Sequence, residues 1–167
     1  RPGGLTFGAI LGAGPHLNAV HFLRTMGIEG RLVPFKGAPE ALREIIADRI
    51  DFYFTPLAPA RGLINDGKLK AIAVSSSQRA SALPDVPTTV EADFPNSEYN
   101  FWIGVFAPSK TPAPILERLH KEIAAALANP VVAEKLSKLG ADSIKMSADE
   151  FRNLIGREIV SNAELVK

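Results

Sequence analysis

LTFGAILGAGPH, residues 5–16, is the stretch whose reading decides the fold. Leu5, Phe7 and Ala9 alternate with Thr6 and Gly8, the period of a half-buried strand. Gly12 and Gly14 then let the backbone turn tightly and approach a ligand. Pro15 suits the first turn of a helix, where its missing N–H would have no partner anyway. A helix starting just past such a loop presents free N–H groups and a positive dipole end, which together attract anions. The same two glycines also make a plain tight turn, so the anion reading depends on the rest of the chain.

Working outward, the first helix is expected over 15–26, with Leu17, Val20, Leu23 and Met26 on its apolar face and Gly27 ending it. A strand follows at 31–35, and Pro34 within it argues for an edge position. Pro39 opens a second helix with Leu42, Ile45 and Ile46 at i, i+3 and i+4. A third strand at 50–54, a loop at 55–59, a short helix at 60–65 and a fourth strand at 70–75 complete the alternation. Four strand–helix alternations predict a mostly parallel sheet with helices over it. Such sheets bind ligands beyond the carboxyl ends of their strands, where strand order reverses. If strand two lies outside strand one, the reversal lies between strands one and three. The loops there are 10–15 and 55–59, so topology and the glycine loop point to one place.

From 76 to 100 the chain is rich in Ser, Pro and charge and reads as a surface connection. FWIGVFA, 101–107, reads as one more strand. Helices are expected over 112–128, with Thr111 as N-cap and Leu116, Leu119, Ile123 and Leu127 inward, and over 130–139, with Val132, Leu136 and Leu139 inward and Gly140 as its cap. Ser147 and Glu150 form a capping box for a last helix, whose expected buried stripe is Phe151, Leu154, Ile155 and Ile159. One strand against three apolar-faced helices leads us to expect that part of the protein is missing from the sequence.

Composition narrows the function classes. The 167 residues suffice for one compact domain or two small lobes. Net charge is +1, from 19 basic and 18 acidic residues, with no basic stripe, so nucleic acid is not an expected partner. There is no Cys, which excludes disulfides, thiol catalysis and cysteine zinc sites. His16 and His21 are five apart and fall on different helix faces, against a metal pair. No apolar run approaches membrane-spanning length, and no signal peptide is visible. No nucleophile–base–orienter set is apparent, and the serines at 75–77 lie outside any strand–turn–helix elbow, so no enzyme and no cofactor is expected.

Several phrases carry a resemblance that runs from end to end: the glycine loop with His16 and Leu17, VPFKGAPEAL at 33–42, GKLKAIAVSSSQR at 67–79, LPDVPTTVEA at 83–92 and FWIGVFAPSKTPAPI at 101–115. The chain resembles the periplasmic solute receptors of the tripartite tricarboxylate transporter systems, the TctC or Bug receptors. The resemblance implies an α/β, type II periplasmic-binding-protein-like fold of two lobes closing on a small organic carboxylate by a hinge. It makes residues 1–98 the second ligand-binding lobe and 99–167 the returning C-terminal part of the first, whose N-terminal block is expected to be missing. It implies periplasmic location and membrane transporter subunits as partners, the receptor itself not being membrane-embedded.

The resemblance also implies that backbone N–H groups hold the ligand carboxylate. The matching positions are Gly12, Ala13 and Gly14, with Gly37 and Thr55 as weaker candidates and His16 as a further one, expected more as an early helix residue that hydrogen-bonds across the loop than as a ligand contact. The family often has Ser at the places of Ala13 or Pro15, so a hydroxyl donor is lost here. Some amino-acid-binding members carry Asp at the place of Thr55, which points this chain to a carboxylate without an amine. Lys36 is expected to be a solvated turn lysine, Trp102 to pack at the hinge, and Asp51 to hold neighbouring backbone. The alternative is a cytoplasmic effector-binding domain of a transcription regulator, which shares the two-lobed architecture. A signal peptide or a DNA-binding helix pair at the start of the native gene separates the two.

Overall fold

The computed structural model describes residues 4–165. Strand and helix alternate through β1 (Leu5–Ala9), α1 (Gly14–Met26), β2 (Gly30–Pro34), α2 (Ala38–Ile46), β3 (Phe52–Tyr53) and α3 (Leu57–Asn65). Three helices follow a long connection: α4 (Ala113–Ala128), α5 (Pro130–Lys138) and α6 (Ala148–Leu165). The strands form one parallel sheet in the order β2-β1-β3. Its register runs from Leu5 opposite Gly30 to Ala9 opposite Pro34, with Phe7 opposite Phe52. Pro34 sits on the edge strand, where a missing N–H costs no inner ladder bond. Asp51 ties β1 to the start of β3, as expected: its Oδ2 accepts from the Thr6 N–H and hydroxyl, both at 2.7 Å, and its own N–H donates to the Thr6 carbonyl at 2.8 Å.

The core is small and aromatic. Phe7, Ala9, Ala19 and Leu23 are buried together, with Leu32, Phe52 and Phe54 packed on them. The α1 face that packs inward contains Asn18, Ala19 and Leu23. It is rotated from the expected stripe of Leu17, Val20, Leu23 and Met26, of which only Leu23 is buried. Polar Asn18 can face inward because its amide donates to the Ser75 hydroxyl at 2.8 Å. Phe22 bridges this core to Phe94, 5.2 Å away between ring centres.

Two expected strands do not form. Residues 70–75 make an isolated bridge, Val74 with Thr88, and no ladder. Pro87 accepts from the Val74 N–H but has no N–H to return, which stops pairing there. Residues 101–107 have no partner strand among the described residues, and Ile103 is 87% exposed. Thr111 does not cap α4; the cap position falls on Pro112, with no side-chain bond. The α4–α6 faces are also less covered than expected: Leu116, Leu119, Leu139 and Ile159 are all exposed. Periodicity marks which face is apolar, not whether a neighbour covers it.

The capping signals fare better. Ser147 N–H donates to Glu150 Oε2 at 2.7 Å and the Glu150 N–H donates back to the Ser147 hydroxyl at 3.2 Å, closing the expected box. A second reciprocal pair holds the connection: Thr88 N–H donates to Glu91 Oε2 at 2.8 Å, and Glu91 N–H to the Thr88 hydroxyl at 3.0 Å. Arg79 Nε also donates to Glu91 Oε2, at 2.8 Å. The Arg79 hydrogen bond first, then the Thr88 N–H, hold the Glu91 carboxyl below its ordinary value of 4.5. A carboxylate whose folded pKa is lowered stabilises the fold above its unfolded pKa and loses that contribution as pH falls through the folded one. Glu91→Gln is therefore expected to lose less stability than the parent between pH 7 and pH 3. Urea midpoints at the two pH values check this; equal losses would remove Glu91 from the acid response.

Candidate functional site

The three helices α1, α2 and α3 start from the carboxyl ends of β1, β2 and β3, so their N-termini gather along one edge of the sheet. Their cap residues are Ala13, Gly37 and Pro56, and none provides a side-chain cap. Serine, threonine or aspartate usually fills that place and satisfies the first N–H groups. Leaving it empty three times over keeps backbone donors and positive dipole ends available. The strand order β2-β1-β3 puts the reversal between β1 and β3, as the sequence predicts, so the loops at 10–13 and 54–56 flank it.

The β1–α1 loop is internally bonded, which narrows the candidates. Ala13 N–H donates to the Ile10 carbonyl at 3.0 Å. Gly12 N–H donates to His16 Nδ1 at 3.3 Å, so His16 spans the loop from the helix side. Gly14 N–H has no partner among the described residues. Of the three expected loop donors, Gly14 is thus the one open at once, and Gly12 opens when His16 lets go. Gly37, extended at φ −170°, caps α2 and accepts from the Ala41 N–H. The Thr55 hydroxyl donates to the Pro56 carbonyl at 3.2 Å. Burial pushes the Tyr53 phenol up, and the nearby Thr55 hydroxyl opposes it. Lys36 is exposed, as expected of a turn lysine. Trp102 packs on Phe151, 5.1 Å between ring centres, and its Nε1–H donates to the Glu158 carboxylate at 2.9 Å, in keeping with a packing role.

Two features escape the sequence reading. Phe101 lies against the loop: a Cβ on Gly14 would stand 2.9 Å from its ring carbons Cδ2 and Cε2. A relay also joins α1 to the crossing segment, from the Asn18 amide to the Ser75 hydroxyl at 2.8 Å and from that hydroxyl to the Tyr99 carbonyl at 3.0 Å. Asn18 is 6% exposed and its Oδ1 is buried without a partner among the described residues. Only long-range contacts reveal both features; the one sequence hint is a polar residue on an otherwise apolar helix face. A shallow surface hollow lies along one face of α6, beside Arg152, Arg157 and Glu164. Among the described residues there is no cluster of metal-ligating side chains, and no helix is long and apolar enough to cross a membrane.

A parallel sheet whose uncapped helix starts converge on a strand-order reversal, joined by a crossing segment to a second helical group, is the architecture of a periplasmic binding protein. Comparison makes this specific. The model of the tripartite tricarboxylate transporter family receptor matches residues 1–167, and the chain belongs to that family. A protein encoded in the tcbD–tcbE intergenic region of Pseudomonas sp. (strain P51) is 34% identical over 168 residues, covering 93% of this chain and 50% of that protein. Among solved structures, R. palustris Rpa4515 with adipate superposes at TM-score 0.85 with 30% identity, covering 99% of this chain and 56% of that one. MatC of Rhodopseudomonas palustris with bound malate superposes at 0.80 with 28% identity, covering 98% and 57%. The chain thus spans about half the length of the relatives it matches. The fold is the two-lobed α/β binding fold that the sequence predicts, and the family is one of solute receptors. The family match does not favour the transcription-regulator alternative.

Proposed function

We propose that this chain is the greater part of the carboxylate-binding surface of a periplasmic receptor that captures a small di- or tricarboxylate and delivers it to membrane transporter subunits. Residues 1–98 act as the second lobe and 99–167 as the returning part of the first, with the crossing near 100–102 as a hinge strand. The carboxylate sits at the α1 N-terminus, on Gly14 N–H, with Gly12 and Ala13 of the same loop around it. Gly37 and Thr55 border the site from α2 and β3. His16 releases the Gly12 N–H as the anion enters. The protein binds and hands over its ligand without altering it, and needs no cofactor.

The observation that carries this reading is the open Gly14 N–H at an uncapped helix start over the strand-order reversal. The adipate and malate held by its structural neighbours support a carboxylate as the ligand. Thr55, which carries no charge, favours carboxylates that lack an amine. The test is calorimetric titration of the protein encoded by its own gene with citrate, malate, adipate and benzoate. Saturable heat with at least one, and none with aspartate, is expected; no heat with any carboxylate overturns the proposal.

A further inference from the structure

We infer that Phe101 is the wall of the carboxylate site that sets its ligand class, favouring dicarboxylates whose carbon chain is unsubstituted beside the bound carboxylate. This inference rests on the carboxylate reading above. The ring lies where a Gly14 side chain would stand, with Cδ2 and Cε2 both 2.9 Å from that position. It therefore borders the Gly14 Cα, one atom from the N–H proposed to hold the anion. Phe101 is nevertheless 54% exposed. Among the described residues it makes no ring contact, neither with the group around Phe7, Phe22 and Phe52, nor with Trp102, Phe106 and Phe151, nor with the His21–Tyr99 pair. A half-exposed aromatic ring without such a contact, laid on the loop proposed to take an anion, has a free apolar surface to offer.

The ring is also held in place from behind. Tyr99 N–H donates to the Ser75 carbonyl at 2.8 Å, Ser75 hydroxyl returns to the Tyr99 carbonyl, and Asn18 on α1 donates to that hydroxyl. Asn100 Oδ1 accepts from the Ser77 N–H at 3.2 Å. The backbone directly before Phe101 is thus tied to the same helix whose start holds the anion. Gly14 completes the fit, because any side chain there would displace the ring.

A methylene beside the carboxylate packs on this wall. A hydroxyl in the same place faces carbon on one side and loses a water partner, with nothing there to replace it. Single changes of this kind against an apolar wall are worth about tenfold or more in discrimination. The experiment is titration of the native gene product, its Phe101→Ala variant and its Phe101→Leu variant with succinate and with tartrate, which share a four-carbon chain, tartrate having a hydroxyl beside each carboxylate. The parent is expected to bind succinate at least about tenfold tighter than tartrate. Phe101→Ala should lose about tenfold for succinate and less than twofold for tartrate, while Phe101→Leu keeps most of the succinate affinity. Equal or tartrate-favouring affinities in the parent, or equal losses for both ligands in Phe101→Ala, overturn the inference alone. Heat with neither ligand nor any other carboxylate overturns the carboxylate reading and this inference with it.

Discussion

Replacing Phe7 by alanine is expected to destabilise the protein by about 3–5 kcal/mol. Phe7 is 3% exposed on the central strand and stacks on Phe52, with ring centres 5.6 Å apart and planes 20° from parallel. Phe52 meets Phe54 edge-on at 6.0 Å, and Phe54 meets Phe22 at 5.7 Å. Removing the first ring leaves a void bounded by β-sheet backbone on one side and by Leu23 of α1 on the other. Neither can close it, because Leu23 already presses on Gly30, where a Cβ would stand 2.5 Å from its Cδ1. Domains of this size are stable by only about 5–15 kcal/mol, so the loss is a large share of the total. Urea unfolding followed by tryptophan fluorescence and circular dichroism checks it. A fall in midpoint with unchanged slope is expected, and a loss under about 1 kcal/mol would mean that the ring is not part of the core.

The second large effect is expected at Gly140, where alanine should destabilise the protein by about 2–4 kcal/mol. Gly140 has φ +75°, the left-handed conformation that ends α5. Its N–H donates to the Ser137 carbonyl and the Ala141 N–H to the Leu136 carbonyl, the two bonds of a Schellman ending. An L side chain there costs about 1–2 kcal/mol in backbone strain alone. The added Cβ would also stand 2.7 Å from Leu57 Cβ, next to the main chain of α3, where no rotation can relieve it. The same junction carries hydrogen bonds from Arg61 to the Ser137 and Lys138 carbonyls and from the Ser81 hydroxyl to Asp142 Oδ1, the last at 2.5 Å. Gly140→Ala therefore strains the seam between the sheet lobe and the C-terminal helices. Thermal unfolding should show a clear fall in melting temperature, while Gly62→Ala, inside α3 with open space around its Cα, should not. Equal melting of Gly140→Ala and parent would show that the seam yields freely.

Local signals were legible where a short segment contains its own answer. The alternation of Leu5, Phe7 and Ala9 marks β1, Pro34 marks an edge strand, and Ser147 with Glu150 marks the start of α6, all as found. The reversal between β1 and β3 was expected only if β2 lay outside β1, and the strand order β2-β1-β3 meets that condition. Residues 70–75 and 101–107 were misread because a strand is made by its neighbour. Apolar, β-branched sequence supplies the propensity, and only a facing chain supplies the hydrogen bonds. The inward face of α1 was misread for a related reason: Asn18 is buried through Ser75, 57 residues away.

By itself, then, the sequence determined the α/β class, the order β1-α1-β2-α2-β3-α3 and the family, and it pointed to the glycine loop proposed above as the anion site. These rest on periodicity, turn chemistry and motif order, which act over a few residues. The tertiary structure alone decided what surrounds the open donor: Phe101 over Gly14, and the Asn18–Ser75–Tyr99 relay behind it. Those contacts join residues up to 87 positions apart, and no local pattern encodes them because their energy comes from packing and hydrogen bonding between segments that meet only when the chain is folded.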